Sequence, residues 1–142
     1  MQAGPSPFAK LLASTPDLRQ VPPAQARIVI AMRVAVMAHA KKCDVRQYVA
    51  RHIGNPAAAK HFSHVMEMMG DCWPEPIMVH RPCCQATSYD EMLLLDLITA
   101  VVQKQPEHFH GLLCDMIPQH ASERLHEQIS KFVTCFGRPE SA

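Results

Sequence analysis

The chain has 142 residues, of which 48% are hydrophobic but only 6% aromatic, and it contains only five glycines. This length fits one domain covering residues 1–142, and the aliphatic, glycine-poor composition favours packed helices over a sheet. The net charge is +1, but residues 1–60 carry nine Lys or Arg against two Asp, whereas residues 61–142 carry five basic and eleven acidic residues. Either the two halves neutralise each other, or an exposed basic face binds nucleic acid or an acidic partner.

The first residues of the chain indicate its compartment and the state of its thiols. Residues 1–7 show no charged segment followed by an apolar run, so we expect neither a secretory signal nor a membrane span. The expected location is the cytoplasm, where the six cysteines would be reduced thiols. Metal binding or simple burial then explains the cysteines better than a disulfide framework does.

An N-terminal arm, residues 1–21, precedes the main helices. Ser6 as N-cap and Pro7 at the first helical position predict a short helix over residues 8–14. Thr15-Pro16 ends this helix, because the residue before a proline avoids the helical conformation.

Pro22-Pro23 then opens a long helix that extends to about Lys42. Before Lys41 its only charges are Arg27 and Arg33, and its apolar face is wide. A helix of this kind belongs in the middle of a bundle.

Local start and stop signals delimit the remaining helices. Asp44 with Gln47, and Ser88 with Glu91, are capping-box patterns. The stop signals are Gly54, Gly70, Pro118 and Gly137. The predicted helices cover residues 45–53, 57–69, the apolar run 92–102 that follows the Ser88 cap, 106 to about 117, and 120 or 121 to 136. The sequence therefore predicts an all-α, compact bundle of five to seven helices.

One long connection, residues 70–87, stands out in this bundle. It reads GDCWPEPIMVHRPCCQAT and holds three of the six cysteines, three prolines and the only tryptophan. A long irregular connection inside a compact domain is usually functional or disordered. This one is too apolar and too rich in cysteine to be disordered, so it is the first place to look for a site.

Soft metal ligands are concentrated in and before this loop. Zinc prefers Cys and His ligands, and the candidates are Cys72, His80, Cys83 and Cys84 of the loop, with His61 and His64 one turn apart on the preceding helix. The spacing matches no zinc signature, since the loop has no Cys-x-x-Cys. A strained disulfide between Cys83 and Cys84, acting as a thiol sensor, and burial of idle thiols are the other interpretations.

Two further binding hypotheses use other residues. Trp73, Ile77 and Met78 are candidate anchors for a protein partner or a second copy of the chain, because aromatic and Met side chains are enriched in interface cores. The alternative for Trp73 is that it covers the helical core. A helix-turn-helix around Gly54-Asn55-Pro56 would bind DNA through the basic residues Lys41, Lys42, Arg46, Arg51 and Lys60.

Arg-Pro-Cys-Cys at residues 81–84, followed by Ser88-x-x-Glu91 and a Leu-rich helix, resembles small uncharacterised helical proteins of alphaproteobacteria. The resemblance covers about residues 24–105, and it implies a helical fold but no activity. The chain contains no recognised nucleophile, phosphate-loop or paired-carboxylate motif. We therefore expect a cytoplasmic, non-catalytic regulatory or protein-interaction module. The alternatives are a DNA-binding regulator and a metal- or thiol-sensing protein.

Overall fold

The structure is a computed structural model that describes residues 17–137, so the helix predicted over residues 8–14 lies outside the described residues. Within the described part, a short 3-10 helix, Leu18–Gln20, precedes six α-helices. These are α1 (Pro23–Ala40), α2 (Val45–Ile53), α3 (Pro56–Cys72), α4 (Tyr89–Val102), α5 (Pro106–Leu113) and α6 (Gln119–Phe136). The predicted all-α helical bundle is confirmed.

The core is formed where these helices cross. The most extensive contacts are those of α3 with α6 and of α1 with α2, while α4 packs against α5, α6 and α1. At the centre, the rings of Phe62 and Phe132 meet with their centroids 5.3 Å apart. In the described part of the chain, no helix is both long enough and apolar enough to cross a membrane.

Both bounds of α2, Val45 and Ile53, agree with the sequence, but the predicted capping interaction at its start does not. Gly54 has a φ of 86°, a left-handed conformation that glycine adopts without strain. The guanidinium of Arg27 binds the last carbonyls of α2, donating from Nη2 to the Ile53 oxygen at 2.6 Å. The capping box predicted for Asp44 is wrong, because the Asp44 side chain makes no hydrogen bond to the helix and is exposed.

The stop predicted at Gly70 is also wrong, because α3 continues through Gly70 to Cys72. Gly70 has helical neighbours on both sides, and nothing lies within 4 Å of where its Cβ would be. The helix ends just before Trp73, whose φ of −65° and ψ of 138° are extended. Pro74 imposes that conformation on the residue before it. The long connection is therefore residues 73–88, called the loop from here on.

Two further boundaries differ from the prediction by up to four residues. Helix α5 ends at Leu113 and not near residue 117, because the chain turns there and the amides of Met116 and Ile117 both donate to the Leu113 carbonyl. Pro118 then precedes the first residue of α6. Upstream, Asp17 forms an isolated antiparallel bridge with Ala86, so the start of the described chain pairs with the loop.

Candidate functional site

A buried ion pair joins the middle of α1 to the first turn of α4. The Arg33 Nε lies 2.8 Å from Oε2 of Glu91, and the Arg33 Nη2 lies 3.0 Å from Oε1. Both side chains are 0% exposed. Two parallel bonds of this kind fix the geometry of a guanidinium against a carboxylate, which a lysine in place of Arg33 would not do.

The other donors of Arg33 bind the backbone of the loop. Nη1 donates to the carbonyls of Cys84 at 2.6 Å and Arg81 at 3.1 Å, and Nη2 donates to the carbonyl of Ala86 at 2.8 Å. A buried charge is tolerated only when its hydrogen-bonding groups find partners. Arg33 therefore holds the second half of the loop while it neutralises Glu91.

Glu91 binds the loop from the opposite side. Its Oε1 accepts from the Ser88 amide and its Oε2 accepts from the His80 amide, both at 2.9 Å. The Ser88 hydroxyl accepts from the Glu91 amide at 3.1 Å, so the predicted capping box at the start of α4 is confirmed. One carboxylate thus caps a helix, neutralises a buried arginine and fixes two loop amides.

Asp90 performs the same role for the first half of the loop. Its Oδ1 accepts from the indole nitrogen of Trp73 at 3.3 Å, and its Oδ2 accepts from the Met78 amide at 2.8 Å. The Ser88 hydroxyl donates to the Met78 carbonyl at 2.6 Å. We call Arg33, Glu91 and Asp90 together the loop clamp. In the described residues no buried side-chain nitrogen or oxygen lacks a partner.

The clamped loop forms one wall of a groove of about 730 Å³. The other walls come from the C-terminal half of α1, the first residue of α2 and the last three turns of α3. Its apolar lining consists of Val36, Ala40, Val45, Met66, Trp73, Pro74, Pro76 and Ile77. A groove of this volume lies in the range of protein binding sites, which are mostly apolar with a few polar groups.

The charged residues that line the groove are acidic. Glu67 and Asp71 lie one turn apart on α3, and Glu75 follows on the loop. We call these three residues the acidic rim, and all three are exposed. His39 and Ser63 are the other polar lining residues, and no lysine or arginine of residues 17–137 lines the groove.

The structure separates the three predicted partner anchors. Trp73 and Ile77 line the groove, whereas Met78 does not. Trp73 is 9% exposed and belongs to the core, so it covers the helices and also forms the groove wall. Met78 is 67% exposed on the outside of the loop, and its backbone is held by the clamp.

The predicted metal ligands are not brought together. Nδ1 of His61 lies 3.1 Å from Nε2 of Gln128 on α6, while the His80 amide is bound to Glu91 at the start of α4. Across residues 17–137, no three His, Cys, Asp or Glu side chains form a group that could hold a metal ion. The zinc site predicted from Cys72, His80, Cys83, Cys84, His61 and His64 therefore has no support in the structure.

The cysteines are free thiols, and burial makes one of them less acidic. All six, including Cys83 and Cys84, are unbridged. Burial raises the pKa of the Cys72 thiol, and the thiolate is the form that binds metals and attacks disulfides. The carbonyl of Cys84 accepts from Arg33, so the backbone at this pair is part of the clamped loop.

The basic residues of the helix-turn-helix hypothesis are all exposed to solvent. The side chains of Lys41, Lys42, Arg46, Arg51 and Lys60 are exposed. The guanidinium of Arg51 lies over the ring of Tyr48 at 5.2 Å. The first turn of α3, where a recognition helix reads bases, contains Pro56 and three alanines, two of them buried, so it offers few groups for base contacts.

Two imidazoles stack between α5 and α6. The rings of His110 and His126 lie 5.5 Å apart, His126 meets Phe109 edge to face, and Nδ1 of His110 lies 2.6 Å from the Ser122 hydroxyl. Burial, reinforced by the charge of His110, lowers the pKa of His126. Burial, reinforced by Lys60, likewise lowers the pKa of His61.

We expect the free energy of unfolding to fall as the pH drops below about 6.5, the ordinary pKa of histidine. In the unfolded chain His61 and His126 bind protons at a higher pH than in the folded protein, so acid favours unfolding. Urea titrations between about pH 5 and about pH 8 measure this slope.

The variants His126→Gln and His61→Gln are expected to reduce the slope. Their stability at about pH 8, where histidine is neutral in both states, gives the loss of packing separately. A slope that is unchanged in the double variant would show that other groups cause the pH dependence.

Sequence patterns missed the pairing of Arg33 with Glu91 and the acidic rim. A charge in the middle of a wide apolar helix is a signal for a buried ion pair, and Arg33 occupies such a position. Glu67, Asp71 and Glu75 recur every four residues, which places the first two on one face of α3.

Comparison of the chain with protein-family models, with curated proteins and with solved structures gave no match. The resemblance of residues 24–105 to helical proteins of alphaproteobacteria stays a prediction.

Proposed function

We propose that the chain is a cytoplasmic, non-catalytic protein-interaction module that holds a short segment of a partner protein in the groove. The single observation that carries this proposal is an apolar groove of about 730 Å³ whose wall is a clamped loop. A preformed wall favours affinity, because binding does not have to order the loop. The six unbridged thiols are in keeping with a reducing compartment.

The use of the polar groups supports binding over catalysis. Arg33, Glu91 and Asp90 are the buried charged residues of the site, and their hydrogen bonds go to one another, to Trp73 and to the loop backbone. A general acid or base must reach the proton that it transfers. The clamp residues are buried and occupied by structural hydrogen bonds, so their role is to hold the wall of the groove.

The occupant is a partner segment with a large apolar side chain that packs against Trp73 and Ile77. Grooves between helices commonly bind peptides in this way, through apolar anchors on one face. The acidic rim gives the groove a charge that a partner of opposite sign complements, whereas a second copy would bring the same acidic rim to the contact.

The groove is tested by filling it. Gly70 lines the groove on α3 and has open space beside it, and Gly111 on α5 has the same open space but does not line the groove. Gly70→Phe is therefore the blocking variant and Gly111→Phe its matched control. Trp73 is the only tryptophan, so its fluorescence reports binding of tryptophan-free peptides.

We expect a peptide of about 12 residues with a central leucine to change the Trp73 emission in a saturable manner. Gly70→Phe should weaken this binding by at least about tenfold because it removes the space for the anchor, and Gly111→Phe should not. Equal binding by both variants, or a dimer of the wild type that only Gly70→Phe dissociates, would contradict the proposal.

DNA binding by the exposed basic residues Lys41, Lys42, Arg46, Arg51 and Lys60 is the second candidate, favoured by their exposure on neighbouring segments. It requires binding of a short duplex that weakens steeply between about 50 and about 200 mM salt. Gly70→Phe would leave such binding intact, so the two functions are distinguished by one pair of variants.

A further inference from the structure

The groove carries negative charge that no ion pair among residues 17–137 neutralises. Within residues 17–137 none of the three acidic-rim residues, Glu67, Asp71 and Glu75, forms an ion pair. The buried carboxylate of Glu91, in contrast, is fully paired. These three carboxylates lie beside an apolar surface and can attract a positively charged segment of another protein.

The helices that line the groove add to this negative potential. Helix α1 ends at Ala40 and α3 ends at Cys72, and residues next to both ends line the groove. The last carbonyls of a helix carry about half a negative charge. Lys41 and Lys42 follow α1 but do not line the groove.

We propose that the groove selects a basic segment of a partner protein, one in which a large apolar residue is flanked by Lys or Arg. The inference rests on the proposed function and specifies its partner. The apolar residue packs against Trp73 and Ile77, while the flanking cations face the acidic rim. The aliphatic stems of Lys and Arg cover apolar surface and keep their charged ends in water, as an open groove of this type requires.

The experiment compares peptides that share an anchor and differ in charge. Three tryptophan-free peptides of about 12 residues carry a central leucine flanked by about four Lys, Gln or Glu residues. Binding is followed by the Trp73 fluorescence at about 50 mM and at about 500 mM salt.

We expect the Lys peptide to bind about tenfold more tightly than the Gln peptide at low salt, and the Glu peptide to bind most weakly. Each exposed charge contributes only a few-fold, so the preference should fall below about threefold at high salt.

Matched charge variants locate the effect. Glu67→Gln/Asp71→Asn should remove most of the preference for Lys over Gln. Glu123→Gln/Asp115→Asn changes the net charge equally at exposed residues that do not line the groove, and it should keep the preference.

The outcomes separate this inference from the proposed function. Equal binding of the three peptides would overturn the charge selection and leave the interaction module standing. Absence of binding by all three would overturn the proposed function itself. A Lys peptide whose leucine is replaced by glycine should bind more weakly than the original Lys peptide. Equal affinity of these two peptides would overturn the inference, because the attraction would then be unspecific and independent of the groove.

Discussion

Arg33→Met is expected to lower the free energy of unfolding by about 3–5 kcal/mol, because it leaves the buried carboxylate of Glu91 without its partner. The carbonyls of Cys84 and Ala86 lose their donor as well. Since domains are stable by only about 5–15 kcal/mol, this variant is at the margin of folding. Urea unfolding followed by circular dichroism measures the loss.

The control for this prediction is the exposed ion pair of Lys131 and Glu127 on α6, whose nitrogen and oxygen lie 3.8 Å apart. Lys131→Met should cost less than about 0.5 kcal/mol, as exposed helix pairs do. A loss below about 1 kcal/mol for Arg33→Met would mean that Glu91 is neutralised in another way.

Replacing both Arg33 and Glu91 tests whether the clamp stabilises the fold through the ion pair itself or through its hydrogen bonds to the loop backbone. In Arg33→Met/Glu91→Met the unpaired charge is gone, and an isolated buried pair would then recover its stability. Here the carbonyls bound by Arg33 and the amides of His80 and Ser88 stay without partners, so we expect recovery to be partial. Full recovery would show that the loop bonds contribute little.

Asp90→Ala is expected to lower the free energy of unfolding by about 2–3 kcal/mol, because two donors lose one shared acceptor. The indole of Trp73 and the amide of Met78 both bind this carboxylate. The Trp73 emission should shift to longer wavelength as water reaches the indole. Binding in the groove should weaken, because the same residues position its wall.

Asp96→Ala is the matched control, since Asp96 is exposed on the same helix. It should change the free energy of unfolding by less than about 0.5 kcal/mol and leave the emission of Trp73 unchanged. An equal effect of the two substitutions would assign the loss to helix α4 as a whole and not to the bonds of Asp90.

The helices were predictable because their signals are local. Ser88 and Glu91 lie three residues apart, and that spacing alone places the start of α4. Gly70 misled because glycine permits a stop without requiring one, and the rigid pair Trp73-Pro74 a few residues later ends α3. The end of a helix is therefore set by the residue that excludes the helical conformation, and not by a nearby residue that only permits a stop.

The site was less predictable because it joins distant parts of the chain. Arg33 and Glu91 are 58 residues apart, and no local pattern links them. Helix capping explains Glu91 completely at the sequence level, which hides its second role. The cysteine and histidine set failed for the opposite reason. Residues near in sequence have different neighbours: the His61 ring meets Gln128 of α6, whereas the His80 backbone amide binds Glu91 of α4.

The loop clamp forms its hydrogen bonds to the loop almost entirely with backbone atoms. Arg33 binds carbonyls, and Glu91 and Asp90 bind amides, with the Trp73 indole as an added contact. The course of a backbone that is fixed in this way depends little on the side chains that the loop carries. Exposed loop positions that do not line the groove, such as Met78, Arg81, Cys83 and Gln85, can therefore be randomised while the backbone keeps its course, which makes this bundle a scaffold for displaying variable sequences.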